Sequence, residues 1–186
     1  MKTIKFILLV LLLIVACEPV YKIDYQKIKI SKGSHSSHLR VELLQNDIMK
    51  YWVKFDSSAI YTSQTKENQW DTNKLFGFSD CNEHHHQNSA RFGWRWLENK
   101  IDIMIYCYID GERIIEKIGE VNPMEEHLYN IQMTEDAYHF TLDNVSQSIS
   151  RRSSCQKGLY YTLWPYFGGD EKAPHDITLY FKDPSF

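Results

Sequence analysis

The sequence has no internal repeat and no proline-rich spacer that would divide it into several domains. It also has no block of like charge that would indicate a strongly charged partner. Its 21 Lys and Arg residues are outnumbered by 24 Asp and Glu residues. A chain without a basic stretch has no electrostatic footprint for a phosphate backbone, so we expect no nucleic-acid partner. The length of 186 residues suits one domain of ordinary size.

The signatures of common enzymes are also missing. The sequence has no G-x-S-x-G elbow, no phosphate loop, no dinucleotide-binding fingerprint and no H-E-x-x-H zinc motif. The E-x-D-x-x-E pattern of sandwich-type glycoside hydrolases is absent as well. We therefore name no catalytic residue and expect a protein that binds its ligand without converting it.

The longest apolar run lies at the N-terminus, where residues 6–15 are all apolar. Lys2 and Lys5 form a short positive region, and the small residue Ala16 closes the run. This order is typical of a secretory signal peptide. The run is too short for a transmembrane helix, which needs about 20 apolar residues.

The tetrad Ile14-Val15-Ala16-Cys17 resembles the bacterial lipobox. The resemblance implies cleavage before Cys17, attachment of diacylglycerol to its thiol and acylation of the new amine. We accordingly predict a signal peptide over residues 1–16 and a lipidated tether over residues 17–27, with the lipid bilayer as partner. The expected location is the bacterial cell envelope, with the outer membrane favoured over the inner one. An ordinary signal cut near Ala16, or a weak membrane anchor, is the alternative.

Cysteine is scarce, and three thiols remain once Cys17 is acylated. Cys107 lies in the apolar run IMIYCYI and is most simply a buried small hydrophobic residue. Cys81 and Cys155 lie in polar, serine-rich surroundings, and an exported compartment permits disulfides. A bridge between these two is therefore a hypothesis, and the odd count leaves at least one thiol free.

Short runs of aromatic and β-branched residues, separated by closely spaced turn signals, fill the rest of the chain. Residues 39–51 are the best helix candidate, and two short strands broken at residues 45–47 are the alternative. About nine or ten short antiparallel strands in one domain predict an all-β fold, a single jelly-roll-like β-sandwich over residues 28–186. A lipocalin-like β-barrel is the alternative architecture.

The register of a central hairpin follows from side-chain alternation. Residues 90–97 and 101–109 flank the turn ENK, and Phe92, Trp94 and Trp96 share one face of the first strand. A loop of two or four residues puts these rings beside the isoleucines of the second strand, whereas a loop of three would put two arginines there. Burying unpaired guanidinium groups costs several kcal/mol, so we predict that the Trp/Ile face is core.

The opposite face of this hairpin carries our candidate ligand-binding residues, which are Arg91, Arg95, Tyr106 and Tyr108. Arginine forks suit carboxylated or sulfated sugars, and tyrosine combines a ring face with a hydroxyl. We therefore hypothesise a glycan- or ligand-binding module of the cell envelope. The alternative is that a second sheet or an N-terminal segment covers this face.

Two further classes of function stay open. A polysaccharide lyase site could be assembled from these arginines and tyrosines with a histidine, and a polysaccharide hydrolase would use two carboxylates; either enzyme predicts a deep cleft. A structural or accessory subunit that binds another envelope protein predicts a flat, exposed apolar patch instead.

No motif requires a metal or cofactor, but two segments offer ligands. In the segment SDCNEHHHQNS an extended backbone would put His84 and His86 on one face, where they could bind zinc or copper. In GGDEKAPHD, Asp170 and Asp176 supply hard oxygen ligands for calcium. For both segments an ordinary polar loop without an ion is the simpler expectation.

Three stretches, LFGFSDCNEHHHQNSARFGWRW, IYCYIDGER and LWPYFGGDEKAPHDITLYF, are similar to uncharacterised bacterial envelope lipoproteins of this size. The resemblance implies an envelope location and supplies no catalytic residue. The strand pattern also resembles the concanavalin/laminin-G jelly rolls. This second resemblance concerns architecture alone and implies no function.

Overall fold

The computed structural model describes residues 25–37, 42–43, 46–151 and 161–184. These residues form antiparallel strands and two 3₁₀ turns, Ser57–Ala59 and Asn68–Trp70. The eleven strands of this part of the chain are β1 (Gln26–Ile30), β2 (Ile48–Phe55), β3 (Asn73–Ser79), β4 (Ser89–Leu97), β5 (Lys100–Ile109), β6 (Glu112–Val121), β7 (Glu126–Met133), β8 (Ala137–Leu142), β9 (Val145–Ser150), β10 (Thr162–Leu163) and β11 (Ile177–Lys182).

The strands make two sheets that pack face to face. One has six strands in the order β1-β11-β2-β7-β8-β9, and the other has five in the order β10-β3-β4-β5-β6. Strands such as β8 alternate strictly between buried and partly buried residues, as expected where one face meets the core. The predicted β-sandwich is confirmed, and the barrel alternative is wrong because the two sheets do not join into one closed cylinder.

Aromatic rings from both sheets fill the space between them. Phe92 of β4 contacts Tyr129 of β7 and Phe140 of β8, with ring centroids 5.1 Å apart in both pairs and the planes nearly perpendicular. Edge-to-face pairs of this kind contribute about 0.5–1.5 kcal/mol each beyond the burial of their apolar area. The core therefore holds the two sheets together through rings that the alternation pattern directs inward.

The central hairpin has the predicted register. Phe92 lies opposite Ile105 and Trp94 opposite Ile103, and Trp94 is fully buried. The loop has two residues, Glu98 and Asn99, both with positive φ. Two positive φ values are typical of a type I′ turn, whose twist matches that of the strands it joins. The face of β4 and β5 that carries the arginines consequently points away from the core.

Several predictions concern residues outside the described ones, including the signal peptide, the lipidation site Cys17 and the cysteine Cys155. β1 begins at Gln26, so a strand occupies the end of the predicted tether. The helix prediction is wrong at its C-terminal end, because β2 begins at Ile48. Within the part of the chain that the structure describes, no helix is both long and apolar enough to span a bilayer.

The two described cysteines differ in state. Cys107 is a free, buried thiol of β5, as predicted, and burial strongly raises its pKa. Cys81 is disulfide-bonded. Since its predicted partner Cys155 lies outside the described residues, the pairing of these two cysteines stays a prediction.

Candidate functional site

A cavity of about 420 Å³ opens on the outer face of the five-stranded sheet. This volume lies within the roughly 300–1,000 Å³ of typical small-molecule sites. The floor comes from β3, β4 and β5, and the walls come from the loop before β4 and from the segment that contains β10. The cavity is lined by Ser36, Lys74, His84, His85, His86, Arg91, Tyr106 and residues 161–166.

Arg91 is a buried cation at the floor of this cavity. Its side chain packs on the rings of Tyr106 and Tyr108, with the guanidinium carbon 4.8 Å and 5.9 Å from their centroids. Arg91 is only 5% exposed, and its Nε and Nη2 atoms have no hydrogen-bond partner among the described residues. Burial lowers the pKa of Arg91, yet an arginine keeps its proton in proteins. The guanidinium is therefore a desolvated positive charge without a carboxylate partner among the residues that the structure describes.

A glycine makes room for this arginine. Gly77 of β3 lies directly opposite Arg91 in the β3–β4 ladder. A Cβ atom at Gly77 would lie 2.7 Å from Cγ of Arg91 and 2.0 Å from the carbonyl oxygen of Ala90. No side chain fits at such distances, so the glycine lets the arginine stem lie across the neighbouring strand.

Lys74 of β3 supplies a second cation. Its Nζ donates a hydrogen bond to the carbonyl oxygen of Thr72 at 2.9 Å and lies 4.7 Å from the ring centroid of Tyr106. Burial, and then the positive charges of Arg91 and Arg113, lower the pKa of Lys74 to about 8. Two cations therefore flank one tyrosine ring, and together they make the cavity an environment for anions.

The loop before β4 places three imidazoles at the rim of the cavity. The backbone N–H of His85 donates to the Tyr161 hydroxyl at 3.0 Å, and Nδ1 of His85 lies 2.9 Å from the same oxygen. Burial, followed by the charges of Arg91 and the flanking histidines, lowers the pKa of His85 to about 4. His85 is therefore neutral at pH 7 and can accept a proton from, or donate one to, a hydroxyl beside it.

These three histidines also form the group that could hold a metal ion among the described residues. One ligand atom each from His84, His85 and His86 lies within 4.8 Å of the others. Two nitrogens on one tetrahedral zinc are about 3.3 Å apart, so the exposed rings of His84 and His86 would have to close on the ion. The nearby cations Arg91 and Lys74 oppose a further positive charge. Zinc or copper at this rim stays a prediction.

The four predicted ligand-binding residues do not lie together at one site. Arg91 and Tyr106 line the cavity, and Tyr108 borders it, with its ring centroid 5.2 Å from that of His86. Arg95 lies further along the same face, where its Nε donates to a carboxylate oxygen of Asp102 at 3.0 Å. Its charge is thus neutralised by Asp102, whereas no described carboxylate pairs with Arg91.

The candidate calcium ligands lie away from the cavity lining. Asp176 accepts a hydrogen bond from the backbone N–H of Lys32 at 2.8 Å and forms an ion pair with Lys29 at 2.6 Å. The Lys29 ammonium and this backbone hydrogen bond lower the pKa of Asp176. Asp170 is exposed in the preceding loop. Calcium at these two residues stays a prediction.

Sequence reasoning missed three residues of this face. Lys74 lies in the apolar stretch KLFGF and Tyr161 in a stretch without a motif, so neither carried a signal. The third is Trp70, whose ring centroid lies 4.9 Å from the guanidinium carbon of Arg95. Its position within the polar run TSQTKENQWDTN was a usable signal, because a tryptophan among polar residues has no core to fill.

No protein-family model matches this sequence, and a search of curated proteins finds no significant match. Solved structures do match. The alginate lyase AlyC3 superimposes with a TM-score of 0.60 at 9% identity, over 87% of this chain and 74% of the lyase. The catalytic domain of an endo-1,3-beta-glucanase (laminarinase) from Thermotoga petrophila RKU-1 gives 0.56 at 10% identity, over 85% and 75%. At such identities the likeness shows the fold alone: the chain is a jelly-roll sandwich.

Proposed function

We propose that the cavity binds an anionic carbohydrate, carboxylated or sulfated, through Arg91. The observation that carries this proposal is the buried guanidinium with two unpartnered donor atoms. A desolvated charge without a partner costs several kcal/mol, and a carboxylate or sulfate bound beside the guanidinium would offset part of that cost. Lys74 adds a second positive charge at the same floor.

Aromatic side chains give the cavity faces on which a sugar ring could lie. Trp164 and Tyr166 line its wall, and the ring of Tyr166 is stacked on His35 with centroids 5.2 Å apart. A ring held on one side by a neighbour is a rigid surface that loses little entropy on binding. The two solved structures of similar fold are, by their names, an alginate lyase and a glucanase, which supports a carbohydrate ligand over other anions.

The proposed setting is the surface of a bacterial envelope, with the domain tethered through acylated Cys17. This part of the proposal rests on the signal-like N-terminus and the lipobox resemblance. Metabolic labelling with an alkyne fatty acid tests it directly. Label should enter the protein and be lost from the Cys17→Ser variant; equal labelling of both would contradict lipidation at this cysteine.

Binding can be tested on an array of carboxylated, sulfated and neutral glycans. We expect the protein to bind anionic glycans and the Arg91→Met variant to bind at least tenfold more weakly, because methionine keeps much of the apolar stem and removes the charge. The matched control is Lys182→Met. Lys182 also lies over aromatic rings, 5.3 Å from the centroid of Tyr25, but on the six-stranded sheet. Unchanged binding by Arg91→Met, or equal binding of neutral glycans, would contradict the proposal.

The contact between His85 and Tyr161 favours a second candidate function, cleavage of a uronate chain by β-elimination. Arg91 would pair with the uronate carboxylate and so make the neighbouring C5 proton more acidic. A base removes that proton, the bond from C4 to the glycosidic oxygen breaks, and a C4=C5 double bond forms. The leaving oxygen takes up a proton. Neutral His85 and the Tyr161 hydroxyl are the groups positioned to accept and donate these protons.

The two functions differ in a direct readout, because elimination creates an unsaturated uronate that absorbs in the ultraviolet. If the protein is a lyase, absorbance rises when it is mixed with a polyuronate that it binds. Tyr161→Phe should then lose the rise and retain binding. A bound polyuronate that gives no absorbance change assigns the cavity to binding alone.

A further inference from the structure

Trp70 is an exposed indole ring that lies on the same outer face as the cavity. The ring is 57% exposed although tryptophan is usually well covered. One of its faces packs on the guanidinium of Arg95, with the guanidinium carbon 4.9 Å from a ring centroid. The other side of the ring is therefore available to a ligand.

The support beneath this ring is rigid. Nε of Arg95 donates to Asp102, and Nη1 of Arg95 donates to the carbonyl oxygen of Trp70 itself at 3.1 Å. Asp102 is buried and also pairs with Lys117 at 2.7 Å. The indole is thus fixed on a guanidinium that is itself fixed to the sheet, so a ligand that stacks on it orders little further.

A hollow of about 350 Å³ adjoins the indole and is lined by residues 62–66, Gln69 and Trp70. The loop that bears it is held by Glu171. This carboxylate accepts hydrogen bonds from the backbone N–H groups of Gln64 and Thr65, at 2.8 Å and 3.1 Å, and from the side-chain amide of Asn68 at 2.7 Å. A pre-formed hollow beside a fixed aromatic face, with hydroxyl and amide side chains around it, suits a sugar ring.

The spacing along β4 relates this hollow to the cavity. Arg91, Gly93 and Arg95 point to the same face because side chains alternate along a strand. Arg91 and Arg95 are four residues apart, which is about 13 Å at 3.3 Å per residue. Between them Gly93 is buried beneath Thr72, since a Cβ there would lie 2.5 Å from Cγ2 of Thr72, so a chain along this face would pass over Thr72. The span exceeds one sugar ring and matches a short oligosaccharide.

We infer that Trp70 and its hollow form a second sugar subsite, so that the ligand is a carbohydrate chain lying along the outer face from the cavity towards Arg95. This inference rests on the proposed function, since the cavity anchors one end of the chain through Arg91. At the Trp70 end the cation is neutralised by Asp102, so this subsite recognises the apolar face and hydroxyls of a sugar and not its charge.

The test compares short and long ligands on the same protein. The probes are disaccharides and hexasaccharides of galacturonate and of mannuronate, measured by isothermal titration calorimetry at fixed salt. For whichever uronate binds, Trp70→Ala should weaken the hexasaccharide about tenfold and leave the disaccharide within twofold. Trp52→Ala is the matched control, because Trp52 is a partly exposed tryptophan under a lysine, 5.5 Å from Lys182, on the six-stranded sheet.

The outcomes distinguish a failure of the cavity proposal from a failure of the Trp70 subsite. Arg91→Met should weaken both lengths, as the cavity proposal requires. If Arg91→Met does so and Trp70→Ala changes neither length, or changes both equally, the second subsite is wrong and the cavity stands. If no uronate of either length binds, a carboxylated ligand is ruled out and the subsite for a uronate chain falls with it; the proposed function is wrong if the array shows no sulfated ligand either. Tryptophan fluorescence gives an independent readout: both lengths should change the emission of Trp164 in the cavity wall, and only the hexasaccharide should give a further change that Trp70→Ala removes.

Discussion

Arg91 is the residue at which stability and function oppose each other. Its guanidinium is buried against two tyrosine rings with two donor atoms unpartnered, in a fold that otherwise pairs its buried arginine, Arg151, with a carboxylate. Without ligand, the contacts with the two rings offset only part of the desolvation of this charge. Such a residue is expected where a ligand supplies the missing partner.

Because its unpaired charge destabilises the fold, replacing Arg91 should stabilise the protein without ligand. Arg91→Met should raise the free energy of unfolding by about 1–3 kcal/mol in the absence of glycan, because the substitution keeps the packed stem and removes an unpaired buried charge. Urea denaturation at constant m-value measures the change. A variant that unfolds more easily than the parent would mean that the fold itself pairs the guanidinium.

Lys74 gives the site a pH dependence. Its pKa of about 8 in the folded protein lies below the ordinary 10.5, so its buried charge destabilises the fold below pH 8, and this penalty disappears between pH 8 and 10.5. Anion affinity should move in the opposite direction and fall as the pH rises through 8. The groups that face Lys74 are Asp71, Arg91, Tyr106, Arg113 and Tyr166.

Calorimetric titration of an anionic glycan between pH 7 and pH 10 measures this effect. Affinity should drop several-fold over the range for the parent protein and stay nearly flat for Lys74→Met. Burial raises the pKa of Tyr106, so that ring stays neutral over most of the range. An equal drop in both proteins would assign the titration to another group.

At the scale of the element, the β4–β5 hairpin was predictable because its information is local. Alternation assigns Phe92 and Trp94 to the core and Arg91 and Arg95 to the other face, and the energetic cost of burying unpaired arginines selects the register. The difference between the two arginines was not predictable. Arg95 meets Asp102 across the hairpin, whereas Arg91 is covered by segments that come from elsewhere in the chain.

The pairing of β3 with β4 depends on the absence of a side chain at Gly77. A side chain at Gly77 would collide with backbone atoms of Ala90 and Arg91 at 2.0 Å and 2.6 Å, which cannot move without parting the strands. Gly77→Ala should therefore destabilise the protein by about 3 kcal/mol, measured by urea denaturation.

Gly119→Ala is the control for this strand pairing. A Cβ at Gly119 meets the flexible end of Leu142 at 2.8 Å, and that side chain can move aside. We expect a cost below about 1 kcal/mol for this variant. Equal costs for the two alanine variants would argue against the close packing of β3 on β4.

Over the whole molecule, a buried polar network joins the two sheets. Asp80 directly follows β3 of the five-stranded sheet, and Tyr138 of β8 and Arg151 after β9 belong to the other sheet or its end. The Tyr138 hydroxyl and Nη2 of Arg151 both donate to Asp80, the latter at 3.0 Å, and Nη1 of Arg151 donates to the carbonyl oxygen of Glu135. Alternation alone could not predict this contact, because its members are 58 and 71 residues apart.

The network should add measurably to the stability that the aromatic core provides. Asp80→Asn should lower the free energy of unfolding by about 3–5 kcal/mol, because it removes the carboxylate charge that pairs with the buried Arg151 guanidinium. Tyr138→Phe removes one donor and should cost about 1 kcal/mol. Glu120→Gln, which breaks the exposed pair with Lys117, should change stability by less than about 1 kcal/mol. Thermal and urea unfolding of the three variants measure this ranking; a small loss for Asp80→Asn, equal to that of Glu120→Gln, would show that packing of the rings alone holds the sheets together.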